Sequence, residues 1–140
     1  MKSSDAIVKS SLAVEIGIAR VTVIMPVHNA ERYVAAAVNS VLEQSYRHFK
    51  LVIVDDGSTD ASSAIINSIT DPRVEVIRLP ESMGIVHALN LALDRVKTEF
   101  VARMDADDIS APERFEQQVA FLSSHPEVGV CGSSIELLRG

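Results

Sequence analysis

Four short runs of apolar, largely β-branched residues recur along the chain, and each is followed by a stretch with apolar residues at helical spacing. Val21-Thr22-Val23-Ile24-Met25 stops at Pro26, which cannot donate to a sheet ladder. Leu51-Val52-Ile53-Val54, the segment Val74 to Leu79, and Phe100 to Met104 follow. Strands that are apolar without alternation are buried on both faces, and when amphipathic helices separate them they form a parallel sheet covered on both sides. The expected class is therefore α/β, with a mostly parallel, doubly wound sheet; if its strand order begins 3-2-1-4 counting from Val21, the order reverses between the first and fourth runs.

The connections carry helix signals. Asn29 is a good N-cap for a helix over about residues 30–44, with Val34, Val38, Val41 and Leu42 on one face. A second helix is expected from Asp60 to Ile69, capped by Ser58 or Thr59 and broken by Asp71-Pro72. Ser82-Met83-Gly84 leads into a third helix, with Ile85, Leu89, Ala92, Leu93 and Val96 at spacings of three and four. Ser110-Ala111-Pro112-Glu113 spells a capping box for a fourth, ended by His125-Pro126. Val128 to Leu138 reads as a fifth strand. Residues 1–11 read as a loose lead-in, 12–18 stay unassigned, and the expected division is a lead-in over 1–20 and a domain over 21–140.

A chain of 140 residues is long enough for one domain with a real core. Its net charge of −6, with no Lys/Arg cluster, argues against a nucleic-acid surface. A phosphate ligand would need helix N-termini, a few placed arginines or a metal. Cys131 is the single cysteine, so no intrachain disulfide forms and a reducing compartment such as the cytoplasm fits. No apolar stretch reaches the ~18 residues of a membrane span. The longest, Leu12 to Val27, is interrupted by Glu15 and Arg20, and no signal peptide is legible.

In open parallel sheets ligands bind outside the carboxyl ends of the strands, where the strand order reverses. Three polar clusters lie at such ends: Pro26-Val27-His28-Asn29, Asp55-Asp56-Gly57-Ser58, and Asp105-Ala106-Asp107-Asp108. Crowded carboxylates repel one another unless a cation sits among them. Asp105 and Asp107, two apart on extended backbone, leave on the same side and suit Mg2+ or Mn2+ with part of the shell left for phosphate oxygens. An acidic loop that only faces water and caps the next helix is the alternative. Asp-Asp-Gly-Ser serves either recognition of a base or ribose, or a turn plus cap. Arg78 and Arg103 either approach a diphosphate or pair with nearby acids, and His28 and His87 have no partner spacing that makes either a catalytic base.

Several other chemistries are excluded. An EF-hand starting at Asp105 would place Ile109 at a ligand position, Ser110 at the glycine and Pro112 inside the loop. Neither a P-loop nor a Gly-x-Gly-x-x-Gly fingerprint follows the first strand. A phospho-accepting receiver domain would need acidic residues after the first strand, where Pro-Val-His-Asn stands.

Val-Thr-Val-Ile-Met-Pro-Val-His-Asn at 21–29, Leu-Val-Ile-Val-Asp-Asp-Gly-Ser-Thr-Asp at 51–60 and Ala-Arg-Met-Asp-Ala-Asp-Asp at 102–108 resemble the family 2 glycosyltransferases of GT-A fold. Ser82-Met83-Gly84 resembles their glycine-containing helix start, with Ser82 where Asn is common. The resemblance implies a Rossmann-like GT-A fold and inverting transfer of a sugar from a nucleotide-diphosphate sugar, a UDP-sugar first, to a hydroxyl of a glycan, lipid or protein. It implies that Pro26, Val27 and His28 line the nucleoside pocket, that Asp56 binds the base and that Asp55 supports the turn. It implies further that Asp105 lies near the ribose or metal, that Asp107 is a metal ligand, and that Asp108 caps or supports from behind. In that family the general base lies after the fifth strand, where this chain ends. The expectation is therefore a truncated, donor-binding half with no assignable catalytic base, placed in the cytoplasm or at the inner face of a membrane. The alternatives are a non-catalytic nucleotide-sugar-binding module and a sugar-phosphate nucleotidyltransferase.

Overall fold

The computed structural model describes residues 7–9 and 19–138. Among the described residues ten elements follow one another: β1 (Ile7–Lys9), β2 (Val21–Val27), α1 (Val34–Leu42), β3 (Phe49–Asp55), α2 (Ser62–Asn67), β4 (Val74–Arg78), α3 (Ile85–Leu93), β5 (Phe100–Arg103), α4 (Arg114–Ser124) and β6 (Val130–Cys131). One sheet contains all six strands in the order β4-β3-β2-β5-β1-β6. The four apolar runs are the parallel part, β4-β3-β2-β5, which is the order 3-2-1-4 expected from the sequence. Val21 pairs with Phe49 on one side and with Phe100 on the other. The chain winds outward from β2 through β3 to β4 and then returns to the opposite side at β5, so the order reverses between β2 and β5.

Both faces are covered. Val21, Val23, Met25, Val27, Phe49, Leu51, Ile53, Phe100 and Ala102 point into the larger core, with Val34, Ala37, Val38 and Val41 of α1, Ile66 of α2, and Phe115, Val119 and Leu122 of α4. Phe49 and Phe115 meet edge to face with centroids 5.7 Å apart, a geometry aromatic pairs favour. On the other face Ile24, Val52, Val54 and Val101 pack against Ala88, Ala92 and Val96 of α3 and the turn that follows it. Alternate residues of one strand thus feed two cores, which explains why the runs show no polar alternation.

Several local expectations are corrected. Ile7–Lys9 lies within the stretch expected to be a loose lead-in, yet it forms an antiparallel strand between β5 and β6; a three-residue segment carries no legible period. The expected strand from 128 to 138 shrinks to Val130–Cys131, and residues 132–138 pair with no strand among the described residues. The third helix buries Ala88 and Ala92, with Val96 buried in the turn after it, rather than Ile85 and Leu93, which are 52% and 44% exposed, because the two alanines let the helix lie close to the sheet. Residues 12–18, which the sequence leaves unassigned, lie outside the described residues.

Candidate functional site

The loops that lead into α1 and α2 bond to each other across the structure. Asn29, expected as the N-cap of α1, adopts a left-handed backbone with φ 48° and turns toward the next loop. Its Oδ1 accepts from the Thr59 and Asp60 amides at 2.8 and 3.3 Å, while Glu31 accepts from the Ala61 amide at 2.8 Å. In return, Ser58 Oγ, Ser62 Oγ and Asp60 Oδ2 accept from the amides of Asn29, Ala30 and Glu31. Amides of the two loops that lead into α1 and α2 are thus satisfied reciprocally, the Ser62 amide at the start of α2 is held by Asp60 Oδ1 at 2.9 Å, and Ser58 and Thr59 do not cap their own helix as expected. The loops after β2 and β3 become one rigid unit.

Within it Asp55 is buried, and its carboxylate bonds to its own turn and to the start of α2. Its Oδ1 accepts from the Ser58 amide at 3.0 Å, and its Oδ2 accepts from the Ser63 hydroxyl. Arg78 Nε lies 3.9 Å away, so Arg78 is paired with an acid. Gly57 has φ +63°, and a Cβ there would lie 2.4 Å from backbone atoms of Glu81 and Ser82. That contact presses the loop before α3 against the β3 loop. Asp56 then receives three bonds from it: the Met83 amide at 2.6 Å, the Ser82 hydroxyl at 2.9 Å and the Gly84 amide at 3.0 Å. Burial pushes the Asp56 carboxyl up, but the bonds from Met83, Ser82 and Gly84 outweigh it and hold its pKa below the ordinary value. Asp56 is thus a fixed acceptor. His28 Nδ1 lies 2.7 Å from the Asp56 carbonyl; a carbonyl only accepts, so Nδ1 carries the hydrogen and Nε2 points away from that bond.

The acidic turn follows β5. Asp105 and Asp107 do not sit side by side on extended backbone as expected. The strand ends at Arg103, and the Asp108 amide bonds back to the Asp105 carbonyl at 3.2 Å, closing a turn. The turn still brings together carboxylate oxygens of Asp105, Asp107 and Asp108 within 4.8 Å of one another. Asp108 is fully buried, Asp105 half-buried and Asp107 exposed. Arg103 Nε approaches Asp105 at 3.4 Å, so this arginine too is paired with an acid. Three hard oxygen donors this close together fit Mg2+ or Mn2+ better than a soft metal.

All these loops border one cleft of about 550 Å3, at the carboxyl ends of β2, β3 and β5. Its walls include Pro26, Val27, His28, Asp56, Asp105 and Asp107, so six of the residues singled out from the sequence share one space. Asp55 stands behind the wall as a support, and His87 lies on α3 outside the cleft. Tyr33, Ile85 and Ala88 also border it and were not legible: Tyr33 precedes a helix that starts later than expected, and the helical period assigned Ile85 to the core. Both volume and position suit a small-molecule ligand at the switch point of an open sheet.

Comparison with known proteins agrees with this geometry. The glycosyl transferase family 2 pattern matches residues 22–136. An uncharacterized glycosyltransferase of Haemophilus influenzae is 32% identical over 120 residues, covering 84% of this chain and 37% of that protein. The Escherichia coli UDP-Glc:alpha-D-GlcNAc-diphosphoundecaprenol beta-1,3-glucosyltransferase WfgD is 32% identical over 73% of this chain and 40% of its own length. The chain thus spans about two fifths of the curated relatives it matches. Among solved structures, S. aureus TarS 1-349 in complex with UDP-GlcNAc superposes with a TM-score of 0.72 at 31% identity, over 76% of this chain and 32% of that one. The Pyrobaculum calidifontis mannosyltransferase PcManGT, in complex with GDP-Man and Mn2+, gives 0.69 at 29% identity, over 81% and 35%.

Proposed function

The chain belongs to glycosyl transferase family 2, and from that premise we propose that its cleft binds a nucleoside-diphosphate sugar, a UDP-sugar first, and serves the donor side of an inverting sugar transfer. The observation that carries this reading is the convergence of Asp56 with Asp105 and Asp107 on one cleft at the switch point. Complexes of TarS with UDP-GlcNAc and of PcManGT with GDP-Man and Mn2+ support the ligand class. The donor-binding unit in this reading lies within residues 21–140.

Pro26, Val27 and His28 supply the wall against which the nucleoside lies. Asp56, held ionised by the loop before α3, accepts from a base N–H, which favours bases that present one. Asp55 keeps the turn beneath it in place. Asp105 and Asp107 would hold Mg2+ or Mn2+, with Asp105 also near the ribose, and a bound ion would supply Lewis-acid stabilisation for the charge of the diphosphate. Inversion requires the acceptor hydroxyl, on a glycan, lipid or protein, to approach the anomeric carbon from the side opposite the diphosphate. The group that takes its proton is not assigned to a residue of this chain. No helix among the described residues is long and apolar enough to cross a membrane.

Calorimetric titration with UDP, GDP and TDP, each with and without Mn2+, tests the site. UDP should bind, Mn2+ should tighten it, and Asp107→Ala should remove most of that gain. If no nucleotide binds, or if binding ignores both Mn2+ and Asp107→Ala, the proposal fails.

A further inference from the structure

Arg114, at the start of α4, is only 4% exposed. A guanidinium stays charged in proteins, and burying it is costly unless its donors are used. Nη2 donates to the Arg103 carbonyl at 3.1 Å, just before the acidic turn. Nη1 donates to Ser110 Oγ at 3.4 Å, just after it, with Met104 Sδ at 3.7 Å. Nε donates to Gln118 Oε1 at 3.1 Å, one turn further along α4. One buried side chain therefore ties together both ends of the segment that carries Asp105, Asp107 and Asp108. Arg114 does not border the cleft, so it acts from behind.

Its base is itself fixed. The fully buried Gln44 accepts from the Phe115 amide at 3.0 Å and donates to the Ala111 carbonyl at 2.6 Å, and the Ser110 amide donates to Ser40 Oγ at 3.0 Å. The acidic turn hangs between β5 and α4, both anchored in the core, and Arg114 sets the distance between its two ends.

We propose that Arg114 is a positioning residue: its fork of hydrogen bonds to Arg103 and Ser110 holds Asp105 and Asp107 at the spacing a divalent cation needs. This rests on the metal reading of the turn given above. A lysine would keep the charge but could not reach the carbonyl, the hydroxyl and Gln118 together, so geometry and charge separate in one substitution.

Titration of Mn2+ in the presence of UDP, into the wild type, Arg114→Lys and Asp107→Ala, tests it, with UDP binding in the absence of metal and thermal unfolding measured on each. The expected result is that Arg114→Lys weakens Mn2+ binding roughly 10- to 100-fold, as loss of the partners that orient metal ligands does, while metal-free UDP binding stays as in the wild type. A merely structural role would lower the melting temperature but leave the Mn2+ affinity of the folded protein unchanged, and that result would overturn the proposal. If Arg114→Lys does not fold, Gln118→Ala, which removes the acceptor of Nε, should weaken Mn2+ severalfold; wild-type affinity there also overturns it. Mn2+ binding that survives Asp107→Ala would instead remove the metal reading, and the clamp with it.

Discussion

At the residue scale, Asp56 and Gly57 show how adjacent positions serve one purpose by different physics. Asp56 supplies charge that three donors hold in place, and Gly57 supplies the space that lets those donors come close. Gly84 also has a positive φ, 93°, but a Cβ there would meet nothing. Gly57→Ala should therefore cost more than Gly84→Ala: about 1–3 kcal/mol for a positive-φ backbone, a cost of similar order at both positions, plus the clash with Glu81 and Ser82. Urea unfolding of the two variants checks this; equal losses would contradict the packed contact. A second residue-scale prediction concerns acid. Asp71 accepts from the Arg73 side chain at 2.8 Å and from its amide, and these bonds pull its carboxyl down from 3.8 to about 2. A depressed carboxylate stabilises the fold above its unfolded pKa, and that contribution is lost as pH falls through the folded value. Stability should thus drop as pH falls from about 4 to about 2, and Asp71→Asn should flatten that part of the denaturation profile.

At the element scale, the helices near the site begin where neighbours cap them and not where their own sequences announce a start. Ser110-Ala111-Pro112-Glu113 has the pattern of a capping box, but α4 begins at Arg114 without a side-chain cap. Ser110 is engaged by Ser40 and Arg114, and the Phe115 amide is taken by Gln44. Two opposite expectations follow. Gln44→Ala should destabilise by about 1–3 kcal/mol, because it leaves the amide of the fully buried Phe115 without its partner, while the Ala111 carbonyl keeps the Arg114 amide at 3.1 Å. Glu113→Ala, exposed and outside any box, should stay within about 0.5 kcal/mol. Chemical denaturation midpoints of the two variants decide between the cap seen here and the one written in the sequence.

At the scale of the whole molecule, the sheet has two parts with different duties. The parallel part, β4-β3-β2-β5, carries the cleft at its carboxyl ends. The other part is joined through β1, whose Ile7 is fully buried and pairs with Ala102 on one side and Cys131 on the other. Ile7→Ala should cost about 2–5 kcal/mol, the usual range for a large buried aliphatic side chain. UDP affinity of the folded fraction should be unchanged, because no residue of β1 borders the cleft. A matched fall in UDP affinity would show that the two parts are coupled.

The sequence by itself determined the parallel sheet, its strand order and the family, because continuous β-branched runs, helical spacing and the three strand-end motifs are local patterns that neighbours only reinforce. It also singled out Pro26, Val27, His28, Asp56, Asp105 and Asp107, from the strand-end clusters and the family resemblance, and the fold brings these six residues to one cleft. Only the tertiary structure decided where the helices start, that Asn29 holds the β3 loop instead of its own helix, that three donors occupy Asp56, and that Arg114 sits beneath the acidic turn. These depend on partners 11 to 71 positions away along the chain, and no local period records which distant donor will reach a given acceptor. The cleft at the end of β5 is written in the sequence as three aspartates; the buried cation that spaces them is visible only once the chain has folded.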